Sequence, residues 1–167
     1  MGARETVYLA GGCFWGMQKY FDQFDGILET EVGYANGPDK APTYKEVCAD
    51  SGHAETLRIV YDPEKIPFGK LLDDYFLVID PLSVNRQGHD EGIQYRTGIY
   101  YTNDSQKAEA LAYAAALEEK LGAKIAVEIL PLGNFFPAEE YHQKYLDKNP
   151  GGYCHIPASY FSREKKD

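Results

Sequence analysis

Cys13 is the residue whose neighbours best equip it for chemistry. It follows Thr6-Val7-Tyr8-Leu9-Ala10, a short strand pattern, and Gly11-Gly12. After it, Phe14, Met17, Tyr20, Phe21 and Phe24 recur at helical spacing, so the thiol is expected where a strand turns into a helix. At that place the positive end of the helix dipole and unsatisfied backbone N–H groups favour a thiolate. Gly11, Gly12 and Gly16 leave room for a sharp bend and an approaching substrate, and Phe14 and Trp15 offer a wall for a small apolar group. The residues alone leave a second reading open, in which Cys13 is a small buried hydrophobe like many free cysteines.

The remaining cysteines, Cys48 and Cys154, make an odd total of three at wide spacing, which fits neither a secreted disulfide framework nor a C-x-x-C zinc pattern. His53, His142 and His155 lack tight ligand spacing, and a metal-bound thiolate would be less available to a substrate, so neither a metal nor another cofactor is expected.

The 167 residues suit one domain. With 44% hydrophobic and 26% charged residues the chain has the balance of a globular protein. A net charge of −9 and a pI near 4.9 repel phosphate backbones, so nucleic acid is not an expected partner. No stretch of about 18 apolar residues or signal-like leader stands out, which leads to the expectation of a cytoplasmic protein with no membrane contact. A monomer is the default.

These residues must be positioned by alternating elements. Strands are expected over 6–10, 27–34, 54–61, 95–101 and 125–130, and helices after Gly12 and over 68–79, 105–121 and 139–146, with Gly122 as a C-cap. Some strand pairs lack a helix between them, which points to an α/β (α+β) fold: a two-layer sandwich with a mixed sheet. The long polar stretches 36–52 and 80–94 are expected to be functional loops.

Four blocks tie these features together. They are Gly12-Cys13-Phe14-Trp15-Gly16; Gly52-His53-Ala54-Glu55 with Arg58-Ile59-Val60-Tyr61-Asp62-Pro63; Gln87-Gly88-His89-Asp90-Glu91-Gly92-Ile93-Gln94-Tyr95-Arg96; and Glu140-Tyr141-His142-Gln143-Lys144-Tyr145-Leu146 with Asn149-Pro150-Gly151-Gly152-Tyr153-Cys154. In type and order they resemble the A-type peptide-methionine sulfoxide reductases over nearly the whole chain. The resemblance implies a ferredoxin-like core and a single catalytic domain, 1–167, whose tail, 147–167, carries a recycling cysteine.

It also implies roles. Cys13 would attack the sulfoxide sulfur, and Glu55, its pKa raised by burial, would be the general acid. Tyr44 and Tyr95 would donate hydrogen bonds to the sulfoxide oxygen; with fourteen tyrosines present, only these two are carried over. Phe14 and Trp15 would hold the substrate methyl, and Asp90 would help bind the substrate amine or an ordered water. The S epimer, in proteins or as the free amino acid, would be reduced to methionine, leaving Cys13 as a sulfenic acid. Cys154 would condense with it to a disulfide, and thioredoxin or a similar dithiol would reduce that bond. Cys48 is expected to be a structural or incidental thiol.

The chain departs from the pattern in two places. It lacks a further tail cysteine, so the relay would stop at Cys13–Cys154, and His89 stands where asparagine is more usual, which is expected to tune the site. Two other functions compete. A cysteine hydrolase or acyltransferase would need a histidine base at Cys13. A redox sensor or sulfoxide-binding module would keep the cysteine pair without needing Glu55 as an acid.

Overall fold

A computed structural model describes residues 4–38, 41–48, 51–87 and 90–149 of the protein. The chain runs β1 (Glu5–Gly11), α1 (Phe14–Asp22), β2 (Ile27–Ala35), α2 (Tyr44–Cys48), β3 (Ala54–Tyr61) and α3 (Phe68–Leu77). A two-residue pair, β4 (Arg86–Gln87) and β5 (Asp90–Glu91), precedes β6 (Thr97–Tyr101) and α4 (Asp104–Leu121). Last come β7 (Glu128–Pro131), β8 (Phe135–Pro137) and α5 (Tyr145–Lys148).

Six strands form one mixed sheet in the order β7-β6-β1-β3-β2-β8. Its four central strands are antiparallel, and β7 joins parallel to β6 through the α4 crossover. The central order β6-β1-β3-β2, with α1 and α3 as the two connections, is the ferredoxin-like arrangement. Period-two alternation sends Val7 and Leu9 of β1, Val32 and Tyr34 of β2, Leu57, Ile59 and Tyr61 of β3 and Ile99 of β6 into one core. Phe14, Met17, Tyr20 and Phe21 of α1, Leu71, Leu72 and Tyr75 of α3, and Ala110 of α4 close over that core, giving two layers. On the opposite face Ala10, Ala35, Ala54 and Tyr100 form a smaller cluster against Leu132 and Phe135.

The fold agrees with the expected architecture, and the differences lie in short elements. The stretch expected to be a loop over 36–52 contains α2. Its N-terminus is a capping box: Thr43 Oγ1 accepts the Glu46 N–H at 3.1 Å while Glu46 Oε1 accepts the Thr43 N–H at 2.9 Å. The strand expected from residue 95 begins at Thr97, because Ile93–Tyr95 coil into a 3-10 turn after Gly92 at φ 138°. The strand expected over 125–130 starts at Glu128.

The helix expected over 139–146 breaks into a 3-10 turn, Glu140–His142, and α5. Gln143 is diverted to extend the β2 edge: its side-chain amide accepts the Val32 N–H at 3.0 Å and donates to the Val32 carbonyl at 2.9 Å. Lys144 then turns left-handed at φ 56° and gives its N–H to Gln18 Oε1 at 2.7 Å. Strand β8, three residues ending in proline, had too little pattern to be expected. No helix among the described residues is long and apolar enough to cross a membrane.

One buried hydroxyl fastens the helical layer to the sheet near the end of β1. Tyr75 of α3, fully buried, donates to the Ala10 carbonyl at 2.6 Å, with the Gly98 carbonyl 3.3 Å away. Tyr75→Phe is expected to lower unfolding stability by about 1–2 kcal/mol. In a urea titration the midpoint should fall with an unchanged slope; an unmoved midpoint would show that the two carbonyls are served equally well without the hydroxyl.

Candidate active site

The sheet topology gathers the expected residues at one end of its central strands. In antiparallel neighbours the end of one strand lies beside the start of the next. The β1–β3 ladder ends at Leu9↔Leu57, so two residues further along each strand lie Gly11 and Glu55. Gly11 pairs with Thr97 at the start of β6, two residues after Tyr95, and Tyr34 near the end of β2 pairs with Glu55.

From β1 the chain turns through Gly12, at φ 87°, a value that favours glycine. Cys13 follows as the N-cap of α1 in an extended conformation, 7% exposed, so its thiol lies in a recess at the positive end of the helix. Phe14, the first helical residue, gives its N–H to Glu55 Oε1 at 3.2 Å. Glu55 shares the parity of Leu57, Ile59 and Tyr61 on β3, which turns it into the core face, and it is 1% exposed.

Burial pushes the Glu55 carboxyl up to about 8; the Phe14 N–H opposes this and the nearby Asp90 carboxylate adds to it. The acid is therefore protonated at neutral pH. Its second oxygen, Oε2, is buried and has no hydrogen-bond partner among the described residues. A protonated, partly unsatisfied carboxyl beside a thiol can donate to a substrate oxygen.

Tyr44 is the first residue of α2, and Tyr95 ends the 3-10 turn before β6. Burial, and then the Glu55 carboxyl, raise both hydroxyls above the ordinary tyrosine value, so they remain donors. Tyr95 also lies within electrostatic range of Asp90 and Cys13, and the Tyr44 hydroxyl lies within hydrogen-bonding reach of Cys48. Cys48 is exposed as a whole, yet partial desolvation raises its thiol, against the Tyr44 hydroxyl. Asp90 starts β5.

Trp15 is held edge and face: its indole N–H donates to His142 Nδ1 at 2.9 Å, and its ring stacks on Tyr145 at 3.8 Å. The His142 ring centroid lies 4.4 Å from Tyr44, 5.3 Å from Phe14 and 5.7 Å from Trp15. Sequence spacing raised His142 only as a metal ligand and gave no sign of its place in the wall. Because Nδ1 accepts the Trp15 N–H, the proton of the neutral ring sits on Nε2, which is buried without a partner among the described residues. Burial holds the ring below its ordinary pKa, against the pull of Glu139. A histidine so placed offers a donor and not the base that a hydrolase needs.

Cys13, Phe14, Trp15, Tyr44, Glu55, Asp90 and Tyr95 thus meet at one end of the central strands. Cys154, His155 and His89 lie outside the described residues. Among the described residues no three His, Cys, Asp or Glu side chains gather as a metal site would require.

Comparison with known proteins gives the same answer from three sides. Residues 5–167 match the family model described as peptide methionine sulfoxide reductase. The chain is 57% identical over 154 residues to the peptide methionine sulfoxide reductase MsrA of Clostridium acetobutylicum, covering 92% of this chain and 95% of that one. The crystal structure of reduced Mxr1 from Saccharomyces cerevisiae superposes with a TM-score of 0.84 at 39% identity, covering 92% and 91% of the two chains. Mxr1 in complex with Trx2 superposes at 0.58 with 27% identity, covering 85% and 84%. On these matches the chain belongs to the peptide methionine sulfoxide reductase family, the enzymes that reduce methionine sulfoxide to methionine by cysteine chemistry.

Proposed function

We propose that the protein reduces the S epimer of methionine sulfoxide, in proteins and as the free amino acid, with Cys13 as nucleophile and Glu55 as general acid. The observation that carries this reading is the Glu55 carboxyl: buried, neutral near pH 7, hydrogen-bonded to the residue after Cys13, with one oxygen unsatisfied. The sulfoxide oxygen needs such a donor because negative charge collects on it as the S–O bond weakens.

In the proposed step the Cys13 thiolate attacks the substrate sulfur while Glu55, Tyr44 and Tyr95 polarise the oxygen. The substrate S–O bond breaks as the oxygen passes to the Cys13 sulfur and takes the Glu55 proton; Cys13 loses two electrons and becomes a sulfenic acid, and the substrate sulfur gains two and leaves as methionine. Phe14 and Trp15 receive the methyl, which fixes the epimer once the thiolate and oxygen donors are in place. Asp90 and the His142 Nε2–H are left to orient the polar part of the substrate.

Cys154 then condenses with the sulfenic acid, releasing water and forming a Cys13–Cys154 disulfide, which thioredoxin or another dithiol reduces by exchange. The complex of the family member Mxr1 with Trx2 supports a partner of that class. The enzyme would act in the cytoplasm as a monomeric single catalytic domain, repairing oxidised proteins.

Mixing reduced enzyme with each epimer of a methionine sulfoxide peptide, without added reductant, should release about one methionine from the S epimer alone, with loss of the Cys13 and Cys154 thiols. Release from neither epimer would sink the assignment of Cys13. Cys154→Ser should still release its single methionine but stop turning over with thioredoxin; undiminished steady-state turnover would remove Cys154 from the cycle.

Glu55→Gln should slow the single-turnover step on the order of 10²–10⁴-fold. The wild-type rate should fall as pH rises past about 8, where the acid ionises. Folding stability follows the same proton. The folded carboxyl keeps it up to about 8, whereas an ordinary carboxyl releases it near 4.5, so the folded state binds more protons across that window. Stability relative to Glu55→Gln is thus fully present below the lower value. It declines across the window by about 1.4 kcal/mol for each step of one in pH, and is lost once pH rises through the upper value. Urea titrations of both proteins at pH 5 and pH 9 measure this; parallel pH dependences would show that Glu55 is ionised in the folded protein.

A further inference from the structure

Tyr44 stands at the head of a helix of only five residues, and so short a helix does not hold its own place. The capping box between Thr43 and Glu46 closes its first turn but does not tie that turn to the sheet. Val47, fully buried in the main core, anchors its inner face. At its leading end the Tyr44 ring lies 4.4 Å from that of His142, and the Tyr44 backbone N–H is taken up by a side chain from elsewhere in the chain, that of Glu139.

Glu139 Oε2 accepts the Tyr44 backbone N–H at 2.9 Å, and Oε1 accepts the Tyr34 hydroxyl at 2.7 Å. Tyr34 is buried on β2, directly opposite Glu55 in the β2–β3 register, and its ring centroid lies 5.7 Å from that of Phe14. The carboxylate therefore joins the fixed end of the sheet's central strands, where Glu55 sits, to the residue expected to donate to the same oxygen. Burial works against its charge, but the Tyr34 hydroxyl and the Tyr44 N–H together hold Glu139 below the usual carboxylate range, so both acceptors persist at neutral pH.

We propose that Glu139 is a positioning residue for the reductase step: by bridging the Tyr34 hydroxyl and the Tyr44 amide it sets the Tyr44 hydroxyl where the sulfoxide oxygen will be, without touching the substrate itself. The inference rests on the reading of Tyr44 as an oxygen donor. A displacement of well under the length of a hydrogen bond matters here, because a donor stabilises the transition state only when it is aimed at the position the charged oxygen takes.

The test compares single-turnover methionine release from an S-epimer peptide by wild type, Tyr44→Phe, Glu139→Ala, Glu139→Gln and the double variant Tyr44→Phe/Glu139→Ala. Glu139→Ala should lower the rate constant at saturating substrate about tenfold, as loss of one transition-state hydrogen bond does, with the half-saturating concentration little changed. Glu139→Gln should retain most of the rate, because its amide oxygen can accept the Tyr44 N–H while its NH₂ donates to the Tyr34 oxygen. The double variant should be no slower than Tyr44→Phe alone, which a merely structural defect would not produce. If Glu139→Ala fails to fold, Glu139→Leu, which keeps the volume without the acceptors, enters the same comparison.

Tyr44→Phe at the wild-type rate would overturn the donor reading of Tyr44 itself. If Tyr44→Phe is slow, three results overturn the positioning role while that reading stands: a wild-type rate for Glu139→Ala, a further equal loss in the double variant, or Glu139→Gln as slow as Glu139→Ala.

Discussion

The hydrogen bond from the Phe14 amide to Glu55 joins the start of helix α1 to strand β3, and the Glu55 carboxyl is an awkward group for a core to hold. Charged, it would face the desolvation penalty that keeps most glutamates at the surface. The fold lowers that penalty by keeping the group neutral and giving one oxygen a backbone donor from the first turn of α1. That donor exists because helix α1 starts there, leaving its first N–H groups without intrahelical partners. The same start places Cys13 beside the acid. One contact thus fixes the orientation of the Glu55 carboxyl relative to the Cys13 thiol and offsets the burial of the acid.

The aromatic wall follows a similar economy of partners. Trp15 is positioned by an in-plane hydrogen bond to His142 and by the face of Tyr145, so its ring is held in two perpendicular directions. Both partners come from the segment after β8, whose path is set by the Gln143 amide docking on Val32 and by the left-handed turn at Lys144. A continuous helix over that segment would satisfy its own amides and leave the β2 edge without the Gln143 amide. The break in the helix is therefore what lets His142 and Tyr145 reach Trp15.

Much of this was legible in the residues, and the parts that were not share a cause. The alternation of Leu57, Ile59 and Tyr61 identified β3, and the same parity carries Glu55 inward. The strand–glycine–helix pattern located Cys13 at the turn. By contrast, the register between strands, which sets Gly11 level with Glu55 and Tyr34 opposite it, is non-local and leaves no trace in any single segment. Helix α2 did have a local mark, the Thr43-x-x-Glu46 capping box, hidden inside a stretch whose glycines and prolines read as a loop. The broken helix had none: Gln143 and Lys144 are ordinary helix formers, and only the neighbouring β2 edge and Gln18 overrule them.

The site divides into groups fixed by the sheet and groups fixed by side chains. Cys13 and Glu55 sit within two residues of paired strands, so their separation is as constant as the ladder between β1 and β3. Tyr95 and Tyr44 sit on short helical turns outside the sheet, and a long side chain helps to fasten each. The Arg96 guanidinium binds the Ile93 carbonyl at 2.9 Å, the Asn36 carbonyl at 3.0 Å and Glu128 at 2.8 Å, holding the turn that carries Tyr95. Glu139 does the corresponding work for Tyr44. The proposed proton transfer and sulfur attack need the first pair held with the least freedom, since a small misplacement of reacting atoms costs large factors in rate. The proposed oxygen donors, mounted on separately fastened turns, can be adjusted by changing one side chain without disturbing the sheet.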